Sequence, residues 1–176
     1  SLFTALQLTH TPFDYVYFED AVQSVSGEGC SCAADSLDAD RETALEKLQK
    51  YEILFYPHAV ILTDERAELL EKYVFAGGRL VMGCRTGYKD IFGKCVMEPL
   101  PGRAAALAGT DIPEYSFVAP DDGKVLADWD GTLIEAAVFN DLLTPAGENA
   151  EVLARYASSY YAGTPALIRN RYGKGE

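Results

Sequence analysis

From Thr63 to Asp90 the chain reads TDERAELLEKYVFAGGRLVMGCRTGYKD, and its apolar positions divide it into a helix, a stop, a strand and a turn. Leu70, Tyr73 and Val74 fall on one helix face, with Leu69 widening the stripe. Thr63 is placed to N-cap, and Asp64 and Glu65 follow in the first turn, where backbone N–H groups lack partners and the helix end is partly positive. Gly77 supplies the left-handed residue that ends many helices, and Gly78 lets the chain reverse. Leu80, Val81 and Met82 make a short apolar run, which predicts a strand covered on both faces, as parallel strands are. Its carboxyl end delivers Gly83-Cys84-Arg85-Thr86-Gly87 to the place where open α/β sheets bind ligands.

The same patterning extends to both sides. Residues 1–8 have helical spacing, Thr11-Pro12 stops the helix, and FDYVYF at 13–18 reads as a strand. Residues 20–40 lack periodicity and predict an exposed loop. A short helix follows at 40–50, with Ala44, Leu45 and Leu48 inward, and then a buried strand at 52–57. Alternation of helix and strand predicts an α/β fold with right-handed crossovers and a mainly parallel sheet. Beyond Asp90 the pattern changes. Residues 103–109 predict a helix closed by Gly109, and strands follow at 124–129, from 132 onward, at 150–157 and at 165–171, with Asp130-Gly131 as a hairpin turn. The whole of 1–176 reads as one domain with added β-hairpins in its C-terminal half, and the segment 172–176 as the opening of another turn and strand.

Composition narrows the function classes. At 48% hydrophobic and 24% charged residues the chain is globular, and its net charge of −12 argues against nucleic acid or an anionic membrane as partner. The four cysteines, Cys30, Cys32, Cys84 and Cys95, are too few and too irregular for a stapled secreted scaffold, so reduced thiols in the cytoplasm are expected. His10 and His58 are the only histidines, so Cys30-Ser31-Cys32 has few companions for a metal site, and neither a metal nor a cofactor is implied. No apolar run approaches the ~18 residues that a membrane helix needs. A serine start without a signal peptide predicts a piece of something longer.

The turn at 83–87 resembles the strand-to-helix turn of class I glutamine amidotransferases, Gly-x-Cys-x-Gly, whose central cysteine is the nucleophile. Here the glycines are present and Arg85 stands between them. A guanidinium is never deprotonated and cannot attack a carbonyl. Cys84 comes one residue early, an offset that on a strand sends the side chain to the opposite face.

A wider set of residues carries a second resemblance. Tyr51-Glu52-Ile53-Leu54 with Pro57, Glu71-Lys72-Tyr73-Val74 before Gly77-Gly78, Arg85-Thr86-Gly87-Tyr88-Lys89-Asp90, Pro101-Gly102, Gly163-Thr164-Pro165-Ala166, and Asn170-Arg171-Tyr172-Gly173-Lys174-Gly175 together resemble the trimerisation domain of glycoside hydrolase family 42 β-galactosidases. After Lys89-Asp90 this chain has Ile91-Phe92-Gly93, where that family usually carries an acidic residue and asparagines. The resemblance implies a flavodoxin-like, class I amidotransferase-like three-layer sandwich without catalytic residues. It implies a homo-oligomer, a trimer, of a parent enzyme that cleaves terminal β-D-galactosides with retention. The two carboxyl groups for that reaction, about 5 Å apart in retaining enzymes, would belong to a (β/α)8 barrel outside this chain, which would also bind the galactoside.

An assembly surface favours aromatic residues and arginine anchors. Arg85, Tyr88, Lys89, Asp90, Tyr160 and Tyr161 are the candidates. For Arg85 and Asp90 the other reading is an ion pair inside the turn, and for the two tyrosines it is strand packing. Two further functions stand beside assembly. One is a thiol hydrolase using Cys84, against which stand its register and the lack of a downstream His-Glu pair, since His10 and His58 both precede the turn; His58, at the end of the strand at 52–57, has a catalytic or a structural reading of its own. The other is a sugar-binding module in which Trp129, the single tryptophan, stacks on a sugar or else packs in the core.

Overall fold

A computed structural model describes residues 2–16, 44–119 and 121–176. The chain divides into two compact units, residues 1–48 and 49–176. The first contains helix α1 (Leu2–Leu8). It stops at Thr9, whose hydroxyl donates to the carbonyls of Ala5 and Leu6, at 3.0 and 3.2 Å. Residues 13–16 form no strand. Instead Phe13 packs edge-on against Phe3, with centroids 5.5 Å apart, and against Tyr15. The remainder of the strand expected at 13–18, the loop expected at 20–40 and Cys30 and Cys32 lie outside the described residues. Residues 44–48 are helical, within the helix expected at 40–50.

The second unit opens with strand β1 (Ile53–Tyr56), helix α2 (Asp64–Phe75) and strand β2 (Arg79–Met82). The Thr63 hydroxyl accepts the Arg66 N–H at 3.3 Å, with Asp64 and Glu65 in the first turn, as the capping pattern predicts. Ala67, Leu70, Tyr73 and Val74 are buried along one face. The Tyr73 hydroxyl donates to the Tyr51 carbonyl at 2.9 Å, which ties the helix to the start of β1. With α2 as the crossover, β1 and β2 pair in parallel, Ile53 opposite Arg79 and Tyr56 opposite Met82. Burial alternates along both, so that Ile53, Phe55, Arg79 and Val81 are exposed. The expectation of a strand covered on both faces therefore fails for β2 in this unit.

After a 3-10 turn (Gly102–Ala104), the short helix α3 (Ala105–Ala108) ends at Gly109, with φ +63. All later strands are antiparallel. Strand β3 (Thr110–Val118) pairs with β6 (Val138–Pro145), with a register shift between Asp111 and Glu114. Pro113 lies inside that shift, where a residue lacking an N–H costs the ladder no hydrogen bond. Strands β4 (Val125–Trp129), β5 (Thr132–Ala136), β7 (Ala150–Tyr156) and β8 (Pro165–Asn170) form a sheet in the order β5-β4-β7-β8. Asp130 and Gly131 both have positive φ, +52 and +80, as a two-residue hairpin turn requires. Val125, Ala127, Leu142, Tyr156 and Tyr161 form a buried cluster between these strands.

This architecture overturns the expected α/β, flavodoxin-like or amidotransferase-like three-layer sandwich with a mainly parallel sheet. The described strands contain one parallel pair, and their other pairings are antiparallel. Connection length is the reason. A parallel crossover needs a dozen or more residues, usually a helix, and α2 supplies one. From β4 onward the links are short, two residues between β4 and β5 and one between β5 and β6.

The terminal motif Asn170-Arg171-Tyr172-Gly173-Lys174-Gly175 has a structural task in this unit. The Asn170 amide donates to the carbonyls of Ala106 and Leu107, at 3.1 and 3.0 Å, and so caps the end of α3. The Lys174 N–H donates to the Phe75 carbonyl at 3.1 Å, and the Tyr172 ring meets Phe75 edge-on. The motif thus seals the C-terminal end of α2.

Candidate functional site: the bend after strand β2

Strand β2 ends in a bend whose every residue is held. The Gly83 N–H donates to the Tyr56 carbonyl at 3.1 Å. Arg85 has φ +62, a left-handed conformation uncommon for any residue with a Cβ. The Thr86 hydroxyl donates back to the Gly83 carbonyl at 2.8 Å, and the Gly87 N–H donates to the Ala59 carbonyl at 3.0 Å. Gly87 has φ +74, and a Cβ there would strike the Pro101 carbonyl oxygen.

Strand β6 brings Asp141 beneath this bend. One carboxylate oxygen accepts the Arg85 backbone N–H at 2.8 Å and the other accepts the Tyr88 hydroxyl at 3.0 Å. The Asp141 carbonyl accepts the Tyr156 hydroxyl, also at 3.0 Å. One buried acid therefore joins the bend, β6 and β7. Among the described residues the Arg85 guanidinium forms no ion pair with it and lies over three rings, Phe139 at 4.6 Å, Tyr88 at 5.4 Å and Tyr115 at 5.5 Å.

Burial holds the Tyr88 hydroxyl far above the ordinary phenol range, and the adjacent Asp141 charge adds to the shift. Burial, then the neighbouring Tyr161, does the same for Tyr156. An unfolded tyrosine ionises near pH 10. Because the folded values are raised, the stability these groups contribute is intact below about pH 10 and is lost as pH climbs from there toward the folded values. Urea midpoints are therefore expected to stay level from neutral pH to about pH 9 and to fall above about pH 10. Phenolate absorbance should show these tyrosines ionising only with unfolding; ionisation in the native state near pH 10 would contradict the burial argument.

Cys84 lies within the bend, between Gly83 and Arg85, and its Sγ is 3.8 Å from His58 Nδ1. An imidazole does therefore stand beside the thiol. Burial, and then Asp141, push the thiol upward against the opposing effect of Arg85, which keeps it in its protonated, poorly nucleophilic form. Iodoacetamide labelling resolved by peptide mapping is expected to be slower at Cys84 in the native chain than in the urea-unfolded chain at neutral pH. It should accelerate only above the ordinary thiol range, and rapid native labelling at pH 7 would restore the thiol-hydrolase reading.

The other candidates fall in different settings. Asp90 accepts the N–H groups of Phe92 and Lys94, each at 2.9 Å, and so shapes its own loop. With Arg85 over the rings, the ion pair suggested for Arg85 and Asp90 does not form among the described residues. Lys89 forms backbone bridges with Ile61 and Cys95. Tyr88 is buried. Tyr160 is exposed and donates to Glu114 at 2.6 Å. Tyr161, 3% exposed, accepts from the Asn140 amide and packs edge-on against Tyr156. Trp129 is half-exposed at the end of β4. Sequence reasoning missed Asp141, Phe139 and Tyr115. The one available signal was Asn140-Asp141 embedded in the otherwise apolar run VFNDLL.

Among the described residues no three His, Cys, Asp or Glu side chains gather as a metal site, and no helix is long and apolar enough to cross a membrane. Residues 49–176 thus form a module of one β-α-β unit and antiparallel sheets, whose bend carries a guanidinium between its glycines beside a thiol kept protonated. The chain belongs to the β-galactosidase trimerisation domain family, whose profile matches residues 32–176. It is 30% identical over 130 residues to the β-galactosidase BgaA of Clostridium cellulovorans, and 30% identical over 128 residues to BgaH of Haloferax lucentense. These alignments cover 74% and 73% of this chain and 19% of each relative. The crystal structure of β-galactosidase from Bacillus circulans sp. alkalophilus superposes with a TM-score of 0.66 at 27% identity, over 72% of this chain and 19% of that one. The chain thus spans about a fifth of the length of the curated relatives it matches.

Proposed function

We propose that residues 1–176 are a single non-catalytic assembly domain of a larger cytoplasmic β-galactosidase. The domain joins copies of the parent into a trimer, and a catalytic barrel elsewhere in the parent binds and hydrolyses terminal β-D-galactosides. The observation that carries this reading is the family match across residues 32–176. The names of the relatives support the galactoside chemistry. The guanidinium at the bend supports a structural role over thiol catalysis. The contact surface is drawn from Arg85, Lys89, Asp90 and Tyr160, with Tyr88 and Tyr161 as buried supports. Light scattering and a chromogenic β-galactoside assay on the complete parent test both halves. A mass three times that of the chain, together with hydrolysis, is expected. A monomer, or a parent inert toward β-galactosides, would overturn the corresponding half.

A further inference from the structure

Arg85 is caged but not paired. Its guanidinium stacks on Phe139, Tyr88 and Tyr115, yet among the described residues no carboxylate or carbonyl takes its side-chain N–H groups, and Nε is buried without a hydrogen-bond partner. Stacking satisfies the face of a guanidinium and leaves its edge, five donors in a rigid fork, to be met by something else. Native structures rarely leave a buried donor such as Arg85 Nε unmet. Asp141, the nearby acid, has both oxygens engaged by the Arg85 backbone and by Tyr88.

The surroundings are also unfinished. Directly opposed residues on an antiparallel ribbon share a face, so the pairs Tyr115–Asp141 and Phe117–Phe139 put three rings on the side of β3 and β6 that faces Arg85. Phe117 packs on Phe139 at 5.2 Å, and Tyr115 packs on Tyr88 at 5.8 Å. Even so, Tyr115 remains 48% and Phe117 54% exposed. A cation with free donors, bordered by half-exposed rings, has the composition of the energetic centre of a protein interface.

We propose that this is the receiving half of a contact with a second copy of the chain, in which a carboxylate of the neighbour enters beside Tyr115 and Phe117 and takes the Arg85 fork. The inference rests on the assembly reading and adds to it the seat and the chemistry of the occupant. A second copy fits for three reasons. Its surface is rich in the required group, with 27 acidic residues against 15 basic ones. Two half-exposed rings call for a partner with area, which a small free anion lacks. Closed rings are built from two different patches on each copy, so a cationic aromatic seat here is met by an acidic projection elsewhere on the neighbour.

The test uses the complete parent in sedimentation equilibrium. Arg85→Gln is expected to raise the trimer dissociation constant about 10- to 100-fold, with Arg85→Lys between it and the parent protein because the charge is kept and the planar fork is lost. The parent's dissociation constant should rise with salt, and that salt dependence should be much reduced in Arg85→Gln. Phe117→Ser, on the exposed edge and away from the bend, should weaken assembly several-fold, and it decides the matter should the Arg85 variants fail to fold. A trimer whose dissociation constant and salt dependence are unmoved by these substitutions overturns the inference and leaves the assembly reading standing. So does a variant that lowers the melting temperature without weakening assembly, since that result places the carboxylate within the parent chain itself. A parent that is monomeric at every concentration sinks the assembly reading instead.

Discussion

Asp141→Ala is expected to destabilise the 176-residue chain by roughly 2 to 6 kcal/mol, because it strips the acceptor from one buried and one partly buried donor and each such orphan costs about 1 to 3 kcal/mol. The donors are the backbone N–H of Arg85 and the hydroxyl of Tyr88, at 2.8 and 3.0 Å from the carboxylate. Asp141 is itself buried, so no solvent replaces it. Arg85 holds φ +62 in that bend, and its N–H is oriented by this one acceptor. Asp141→Asn keeps one oxygen and turns an NH2 group toward the other donor, so about half the loss is expected. Urea denaturation followed by far-UV circular dichroism measures both. A change below about 1 kcal/mol for the alanine variant would mean that the acid is incidental to the bend.

Gly87→Ala should lose more than about 3 kcal/mol, from two separate causes. The first is conformational: φ is +74, where a Cβ meets the following carbonyl at about 1 to 2 kcal/mol. The second is spatial, because the new methyl group would press into the Pro101 carbonyl oxygen, and backbone cannot rotate aside as a side chain can. Gly163→Ala separates the two. Gly163 has φ +90 with nothing near its missing Cβ, so only the conformational cost of about 1 to 2 kcal/mol is expected. Amide exchange at Arg85 should accelerate in the Gly87 variant, since the displaced turn pulls its N–H from Asp141. Equal losses at the two glycines would remove the steric half of the argument.

These two positions also show how unevenly the site could be read in advance. Gly87 is conspicuous in the sequence as the second glycine of Gly-x-Arg-x-Gly, and its conformation follows from residue type. Asp141 lies 56 residues from Arg85 in the chain. No local pattern marks one acid among 27 as the one that a distant bend requires. The aromatic cage is the same case, for nothing local sets Tyr115 and Phe139 apart until β3 and β6 pair. The mistaken expectation of a mainly parallel sheet has a related origin. Periodicity identifies strands, but which strand lies beside which is decided by connections and by packing.

Local chemistry was enough for the Thr63 cap, the buried stripe of α2, the Gly109 stop and the Asp130-Gly131 hairpin, because each depends on backbone preferences or on side chains within a turn or two of one another. Family membership was legible for the same reason, in short segments whose residues serve neighbouring backbone. Only the folded chain decided that β2 has an exposed face, that Tyr161 is core and Tyr160 surface, and that Asp141 clasps the bend while Arg85 is left with open donors. Those outcomes depend on groups brought together from far apart in the sequence, where burial and the supply of hydrogen-bond partners are properties of the assembled unit.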